Sequence, residues 1–182
     1  GDVYKRQGLD DAVVIEACAE AAQGEVVSAV NFNSPGQVVI AGAKAAVERA
    51  IEGCKARGAK RALPLPVSVP SHCELMRPAA ERFAESIAAI NWQAPQIPLV
   101  QNVSAAVAAD LDTLKRDLLE QLYKPVRWVE SVQTLAANGA TELVECGPGK
   151  VLAGLNKRCA DGVSTANLNT PDAFAAARAA LA

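Results

Sequence analysis

EVVSAVNFNSPGQVVIAG, residues 25–42, places the four turn residues NSPG between two valine-rich runs. Runs of this kind predict β-strands, and a turn of this kind joins them as a hairpin. A helical pattern lies on each side of the hairpin, over residues 11–22 and 43–58. The first begins at Asp10 or Asp11, and a glycine ends each of them. Helical spacing predicts the buried faces, which are Val14, Ala17, Cys18 and Ala21 in the first helix and Val47, Ile51 and Cys54 in the second.

Leucine and valine alternate with proline and serine after the second helix, at residues 63–70. The period of two predicts a strand, but proline has no N–H to donate, so this strand must lie at a sheet edge or leave the sheet. Residues 8–70 therefore have the order α-β-β-α-β. A ferredoxin-like unit has the order βαββαβ, so we expect a truncated ferredoxin-like subdomain whose first strand is missing.

The first seven residues, GDVYKRQ, occupy the place of the missing strand. They are too polar and too few for a buried strand. We therefore expect residues 1–7 to be a foreign or artefactual leader joined to a truncated chain. The alternative is a natural ragged terminus, since chain ends are commonly loose.

The remaining residues, 71–182, alternate helical and strand patterns, which predicts an α/β fold for the chain as a whole. We expect these residues to form a second structural unit. The predicted strands are residues 97–103 and 141–147, the latter buried, and the predicted helices are residues 74–90, 110–124, 127–139, 149–159 and 172–182.

Composition limits the classes of function. The chain has 51% hydrophobic and 21% charged residues, a net charge of −2 and a pI near 5.5. A sizeable core can form, and the lack of basic character argues against a nucleic-acid partner. Five cysteines without CxxC spacing argue against a disulfide framework or a metal site, and no apolar run is long enough to span a membrane. We expect a cytoplasmic protein that needs no membrane, metal or cofactor.

His72 is the only histidine, and it lies where a proline-rich run gives way to a helical pattern, in LPLPVSVPSHCELMRPAAERF, residues 63–83. Imidazole titrates near neutral pH, so a histidine at such a junction is a candidate general base. The alternative, which is the more common one for an isolated histidine, is a surface or capping role. Spacing alone assigns no Ser-His-Asp set, because nucleophile and base meet in space.

Two further stretches each allow two interpretations. ECGPGKV, residues 145–151, has glycines like those of a phosphate-binding loop, but Val144 and Val151 break the GxxxxGK[ST] spacing. Either the helix amides that follow hold an anion, or the stretch is a tight strand-to-helix turn. In the same way, Asn31 and Asn33 either shape an ordinary hairpin or offer amides to a ligand.

Five segments occur together in the order and spacing of one family, namely VNFNSPGQVVIAG, LPLPVSVPSHCELMRPAAERF, QNVSA, LLEQLYKPVRWVESVQTLAANGA and LVECGPGKVLAGLNKR. On these segments, residues 8–182 resemble the bacterial malonyl-CoA:acyl carrier protein transacylases. The resemblance implies an α/β-hydrolase-like core with an inserted ferredoxin-like subdomain. It also implies transfer of a malonyl group from malonyl-CoA to the phosphopantetheine thiol of acyl carrier protein through a serine ester, in fatty acid biosynthesis.

The resemblance assigns roles to four residues. His72 of PSHC corresponds to the base that activates the serine and later the incoming thiol. Gln121 of EQLYKPVRW corresponds to the residue whose backbone carbonyl holds that imidazole. Asn33 corresponds to a residue that faces the active-site cleft, and Ser71 lies beside the base, where acyl-chain selectivity is partly set. Both are therefore expected to bind substrate.

The chain departs from the family pattern at the nucleophile, because it contains no GxSxG elbow and no arginine that follows one. We therefore expect a C-terminal portion of the enzyme, acting with malonyl-CoA and acyl carrier protein and inactive by itself. The full-length enzyme is expected to be a monomer that binds neither nucleic acid nor membrane. Two alternatives stay open. One is a non-enzymatic ferredoxin-like binding module, and the other is an acyltransferase domain of a polyketide or fatty-acid megasynthase.

Overall fold

The structure is a computed structural model that describes residues 2–65 and 69–180. We call residues 2–65 the N-terminal region and residues 69–180 the C-terminal region. In chain order the elements are β1 (Asp2–Gln7), α1 (Asp11–Ala22), β2 (Val27–Ser34), β3 (Gln37–Gly42), α2 (Lys44–Ala56), β4 (Arg61–Leu65), a 3₁₀ turn (Glu74–Met76), α3 (Arg77–Ala88), α4 (Leu111–Glu120), α5 (Trp128–Ala137), β5 (Glu142–Glu145), α6 (Val151–Asn156), β6 (Ser164–Asn167) and α7 (Pro171–Ala180). The predicted α/β class is confirmed.

The N-terminal region is an antiparallel sheet with the strand order β2-β3-β1-β4. The predicted hairpin is confirmed, since β2 and β3 pair around the turn at residues 35–36. Among residues 2–65 and 69–180, the strand after α2 pairs with β1 alone, so its predicted place at a sheet edge is also confirmed. Residues 66–68 of the predicted alternation lie outside the described residues.

The prediction that the first strand of this unit is missing is wrong. Residues 2–7 form β1, which pairs with β3 on one side, where Asp2 is opposite Gly42, and with β4 on the other, where Gln7 is opposite Arg61. Ladder hydrogen bonds are made by the backbone, so two neighbouring strand edges can recruit a segment of weak intrinsic β propensity. The unit is therefore a complete βαββαβ arrangement and not a truncated one. The leader origin of residues 1–7 stays a prediction.

Helices α1 and α2 build the core of the N-terminal region against the sheet. Both predicted helix faces are confirmed, because Val14, Ala17, Cys18 and Ala21 of α1 and Val47, Ile51 and Cys54 of α2 are buried. All six residues of β3 are buried, and Ile40 is 0% exposed. Gly42 ends β3 where the backbones approach closely, since a Cβ there would lie 2.1 Å from the carbonyl oxygen of Val26. Only glycine fits that position without a backbone shift.

The C-terminal region follows the predicted helices, and the described ones before α7 have shorter bounds. Residues 181–182 of the last predicted helix lie outside the described residues. The helix predicted over residues 74–90 begins later, because a 3₁₀ turn precedes α3 and Pro78 lies in the first helical turn, where proline is favoured. The strand predicted over residues 97–103 is wrong. The chain reverses there, with the amide of Ala105 donating to Gln101, and only the bridge between Val100 and Val107 forms.

A second, two-stranded sheet lies near the end of the C-terminal region. The prediction of a strand near residues 141–147 is confirmed as β5, but its four residues are half-buried and not buried. Its parallel partner β6 was not predicted from the sequence pattern. Glu142 of β5 is opposite Ser164 of β6. Among the described residues, none of the helices has the length and hydropathy that a membrane span requires.

The two regions contact each other at the edge of β2. The amide of Val126 donates to the carbonyl of Val30 at 2.9 Å, and the amide of Phe32 donates to the carbonyl of Val126 at 2.9 Å. Farther along the hairpin, the guanidinium of Arg158 donates to the side chain of Gln37 at 3.3 Å and to the carbonyl of Pro35 at 3.2 Å. These hydrogen bonds fix the hairpin relative to the segments that follow α4 and α6.

Candidate active site

His72 occupies an unusual backbone conformation. Its φ angle is 65°, in the left-handed region that a residue with a Cβ adopts at a cost of about 1–2 kcal/mol. The next residue, Cys73, anchors the segment because it is 1% exposed and its Sγ donates to the carbonyl of Pro70 at 3.2 Å. Burial raises the pKa of this thiol, which keeps it protonated and able to donate. Strain of this kind is characteristic of functional positions.

The end of α4 holds His72 by two hydrogen bonds. The imidazole Nδ1 lies 2.5 Å from the carbonyl oxygen of Gln121, and the amide of His72 donates to the carbonyl of Leu122 at 2.9 Å. Carbonyls at the C-terminal end of a helix have no partner within the helix, so they are available for this purpose.

The contact with the Gln121 carbonyl determines which nitrogen of the neutral imidazole carries the hydrogen. A carbonyl oxygen only accepts, so Nδ1 carries the hydrogen and the lone pair of the neutral imidazole is on Nε2. Within the part of the chain that the structure describes, the arrangement therefore leaves the Nε2 lone pair available, with a backbone carbonyl and no carboxylate on the other ring nitrogen.

A cavity of about 300 Å³ lies in front of the His72 segment. Its lining residues come from β2, β3, β4 and the segment before the 3₁₀ turn, and they are Val30, Asn31, Asn33, Val39, Leu65, Val69, Ser71 and His72. Three of the four predicted site residues, Asn33, Ser71 and His72, therefore share one cavity. Gln121 is not part of its lining and contacts His72 through its backbone. A larger cavity of about 630 Å³ between α1 and α2 includes none of these residues.

The strand β2 presents two asparagines to this cavity. Asn31 and Asn33 are two residues apart, so they share one side of the strand, and the pairing register shifts next to each of them. The carbonyl of Asn33 also accepts a hydrogen bond from the Sγ of Cys159 at 3.5 Å. From the sequence, Asn31 was one of two asparagines that could offer an amide to a ligand, and it was not among the predicted site residues. Its spacing of two residues from Asn33 in a predicted strand indicated that the two side chains share a face.

An aromatic contact connects the His72 segment to the residues after α4. The guanidinium of Arg77 lies 4.0 Å from the ring centroid of Tyr123, and Glu74 accepts two hydrogen bonds from it, at 2.6 and 2.7 Å. The hydrogen bonds with Arg77 lower the pKa of Glu74. No signal in the sequence pairs residues so far apart along the chain.

The stretch ECGPGKV forms a turn that caps its own helix. The carboxylate of Glu145 accepts hydrogen bonds from the amides of Leu152, at 3.2 Å, and Ala153, at 2.8 Å. These are amides that an anion would need at the start of α6. The tight-turn interpretation therefore describes this stretch. Among the residues that the structure describes, no cluster of three or more His, Cys, Asp or Glu side chains could hold a metal ion.

The chain is similar in sequence to bacterial transacylases. It is 58% identical over 170 residues to the malonyl CoA-acyl carrier protein transacylase of Escherichia coli strain K12, which covers 93% of this chain and 55% of that protein. The chain thus spans about half the length of the curated relatives it matches.

Solved structures agree with the sequence comparison. The crystal structure of malonyl-CoA:acyl carrier protein transacylase from Xanthomonas oryzae has a TM-score of 0.95 and 50% identity, covering 98% of this chain and 57% of that one. A malonyl-transacylase in complex with its type II PKS acyl-carrier protein has a TM-score of 0.94 and 50% identity, covering 97% of this chain and 57% of that one. A model of the acyl transferase domain family matches residues 5–175. The predicted resemblance is confirmed, and the chain belongs to the acyl transferase domain family.

Proposed function

We propose that this chain supplies the general base and one wall of the substrate cleft for malonyl transfer. In this proposal the malonyl group moves from malonyl-CoA to the phosphopantetheine thiol of acyl carrier protein, through the ester of a serine that this chain does not contain. The observation that carries the proposal is the contact between Nδ1 of His72 and the carbonyl of Gln121. Membership of the acyl transferase family supports the reaction class.

His72 acts in both halves of the reaction. Its Nε2 takes the proton of the serine hydroxyl as the oxygen attacks the malonyl thioester, and the imidazolium then gives that proton to the departing coenzyme A sulfur. In the second half, Nε2 takes the proton of the carrier-protein thiol, and the imidazolium returns it to the serine oxygen when the malonyl thioester has formed. Gln121 acts through its carbonyl, which orients the ring and holds the hydrogen on Nδ1.

Asn33 and Ser71 are proposed to bind substrate, because both line the cavity that His72 lines. No resident cofactor is required by this chemistry. The proposal includes an α/β-hydrolase-like core, to which residues 71–182 contribute, and a ferredoxin-like subdomain formed by the N-terminal region. It also includes a cytoplasmic, monomeric full-length enzyme that binds neither nucleic acid nor membrane.

The isolated chain is expected to transfer no malonyl group. A covalent mechanism without its nucleophile retains only positioning effects, and the oxyanion donors of the elbow are absent from this sequence as well. Mass spectrometry of the chain after incubation with malonyl-CoA measures this directly. A stable malonyl adduct on any serine of the chain would contradict the proposal that the nucleophilic serine lies outside this chain.

A chimera tests the role of His72. The chain is joined to the part of the Escherichia coli transacylase that it does not match, and malonyl-enzyme formation is followed by rapid quench. His72→Ala is expected to lower the acylation rate by a factor of about 10² to 10⁴, the usual effect of a positioned base. Gln121→Ala is expected to cost far less, because alanine keeps the backbone carbonyl. Acylation of the His72→Ala chimera at the parent rate would assign His72 a structural role.

The second half of the reaction is tested with two carrier proteins. The malonyl-chimera is mixed with a fatty-acid or a type II polyketide acyl carrier protein, each bearing phosphopantetheine, and transfer is followed by mass spectrometry. We expect the malonyl group to be transferred to the phosphopantetheine thiol of at least one carrier protein. We expect no such transfer with the His72→Ala chimera. Failure of both carriers to accept malonate from an acylated chimera would exclude acyl carrier protein as the acceptor.

A further inference from the structure

We infer that Arg77 and Tyr123 are positioning residues for His72, and that their contact keeps the imidazole in the tautomer that leaves Nε2 free. The inference rests on the proposed function, in which His72 is the base. Neither side chain lines the cavity of the candidate site. Their effect on the reaction must therefore pass through His72.

Three consecutive residues after α4 hold the His72 segment. The carbonyl of Gln121 contacts the imidazole, the carbonyl of Leu122 accepts from the backbone of His72, and the ring of Tyr123 lies under Arg77. Arg77 is the first residue of α3, five residues after His72. The two ends of the short segment 72–77 therefore contact three consecutive residues, one end through backbone carbonyls and the other through the ring of Tyr123.

The guanidinium of Arg77 is fixed in place. Glu74 accepts two hydrogen bonds from it, which restricts its rotation and keeps its face over the ring of Tyr123. A cation over an aromatic face is attracted by the ring, and arginine also stacks on it through its plane.

The segment needs such a restraint because His72 is strained. With φ at 65°, its backbone gains stability by returning to an ordinary conformation. Cys73 restrains the segment from the side of the protein interior, and the contact between Arg77 and Tyr123 restrains it from the side of α4. When the second restraint is removed, the hydrogen bond between Nδ1 and Gln121 opens more often.

Opening of that hydrogen bond has a chemical consequence. Neutral imidazole released from the carbonyl favours the tautomer with hydrogen on Nε2, which is the atom that must accept the serine proton. A wrong tautomer removes the base without removing the side chain. Arg77 and Tyr123 thus increase the fraction of His72 in the tautomer with hydrogen on Nδ1, which is the one that can accept the serine proton at Nε2.

The test measures the tautomer of His72 in the 182-residue chain by long-range ¹H–¹⁵N correlation NMR at pH 9. The chain has one histidine, so every imidazole signal of the protein made without a polyhistidine tag belongs to His72. The variants are Arg77→Met, Tyr123→Leu and Arg77→Lys. Lys115→Met is the matched control, because Lys115 of α4 lies 6.0 Å from the ring of Trp92 and makes the same kind of contact away from His72.

Arg77→Met and Tyr123→Leu are expected to raise the ratio of the Nε2–H to the Nδ1–H tautomer by a factor of about 2 to 5, the equivalent of an exposed cation–aromatic contact. Arg77→Lys keeps the charge but loses the paired hydrogen bonds and the planar stack, so it is expected to raise the ratio by a smaller factor. Lys115→Met is expected to remain at the parent ratio. In the chimera, kcat should fall in proportion to the fraction of His72 in the Nδ1–H tautomer, which is a smaller change than that of the ratio, while KM for malonyl-CoA stays at the parent value. Parent-like tautomer ratios in both Arg77→Met and Tyr123→Leu would overturn the inference.

The readout separates this inference from the proposed function. A shifted tautomer ratio in the 182-residue chain, together with a chimera that forms no malonyl ester, leaves the positioning role in place and refutes the function. An unshifted ratio together with an active chimera refutes only the positioning role. Urea unfolding of each variant checks the fold. Arg77 lies on the surface, with 46% of its side chain exposed, so Arg77→Met decides the matter if Tyr123→Leu unfolds.

Discussion

The N-terminal and C-terminal regions differ in how completely they bury their apolar side chains. In the N-terminal region, α1 and α2 cover the sheet and Ile40 is 0% exposed. In the C-terminal region, all of β5 is only half-buried, and Ile97 is 79% and Val151 71% exposed. The first region thus completes a core from its own elements, whereas the second leaves apolar surface uncovered within this chain.

The candidate active site takes residues from both the N-terminal and the C-terminal region. Asn33 comes from the region with the complete core, and His72 and Gln121 come from the other. Precise placement of a base needs support that does not move. The contacts of Val126 with β2 and of the α4 end with His72 provide that support in the less compact region. The contrast predicts that the same substitution has different effects in the two regions.

The largest expected difference concerns isoleucine. Ile40→Ala leaves a cavity in a closed core and is expected to lower the free energy of unfolding by about 2–5 kcal/mol. Ile97→Ala removes an exposed side chain and is expected to change it by no more than about 0.5 kcal/mol. Urea unfolding followed by far-UV circular dichroism measures both. Equal losses in the two variants would show that the C-terminal region buries Ile97 in solution.

Two glycines give the next largest difference. Gly42→Ala puts a methyl group against the Val26 backbone, and we expect a loss of about 1–3 kcal/mol. Gly154→Ala, in α6, meets nothing within 4 Å and is expected to gain about 0.5–1 kcal/mol from helix propensity. Thermal unfolding compares the pair. A stabilised Gly42→Ala variant would mean that β2 and β3 are not packed as described.

The smallest effects come from two aspartates at helix starts, and they have opposite signs. Burial, followed by the charge of Asp10, raises the pKa of Asp11 above 3.8, whereas the backbone amide of Thr113 lowers that of Asp110 below it. Ionised Asp11 therefore costs stability at neutral pH, and this cost disappears as the pH falls through its raised pKa. The contribution of Asp110 is present above pH 3.8 and is lost as the pH falls through its lowered pKa.

Asp11→Asn should accordingly be more stable than the parent at pH 7, and Asp110→Ala less stable. The difference for Asp11→Asn should shrink as the pH falls from 7 towards 3.8, whereas that for Asp110→Ala should shrink only below pH 3.8. Unfolding curves at several pH values measure the two signs. A loss of stability in Asp11→Asn at pH 7 would indicate that its carboxylate has a partner in solution.

Much of the N-terminal region was predictable from local pattern. The spacing of Val14 and Cys18 gave the buried face of α1, and NSPG gave the hairpin. The first strand was missed because its place is set by the edges of β3 and β4, which local composition does not record. In the C-terminal region β6 was missed for a similar reason, since a four-residue strand pairs with β5 only after the chain has folded back.

The site was predictable only in part. The residues themselves marked His72 as a candidate base, whereas Gln121 came from the family resemblance, because a carbonyl contact across 49 residues leaves no local trace. The left-handed conformation of His72 and the contact between Arg77 and Tyr123 are tertiary features. Any sequence with a histidine after PS would have given the same local signal.

The φ angle of His72 also bears on how this position evolves. Glycine adopts that angle without strain, so a population of sequences selected for folding alone should drift towards glycine at position 72. Selection for malonyl transfer should retain histidine against that drift. A saturation library at position 72 of the chimera can be sorted once for resistance to proteolysis and once for acylation. We expect the first sort to enrich glycine and the second to enrich histidine.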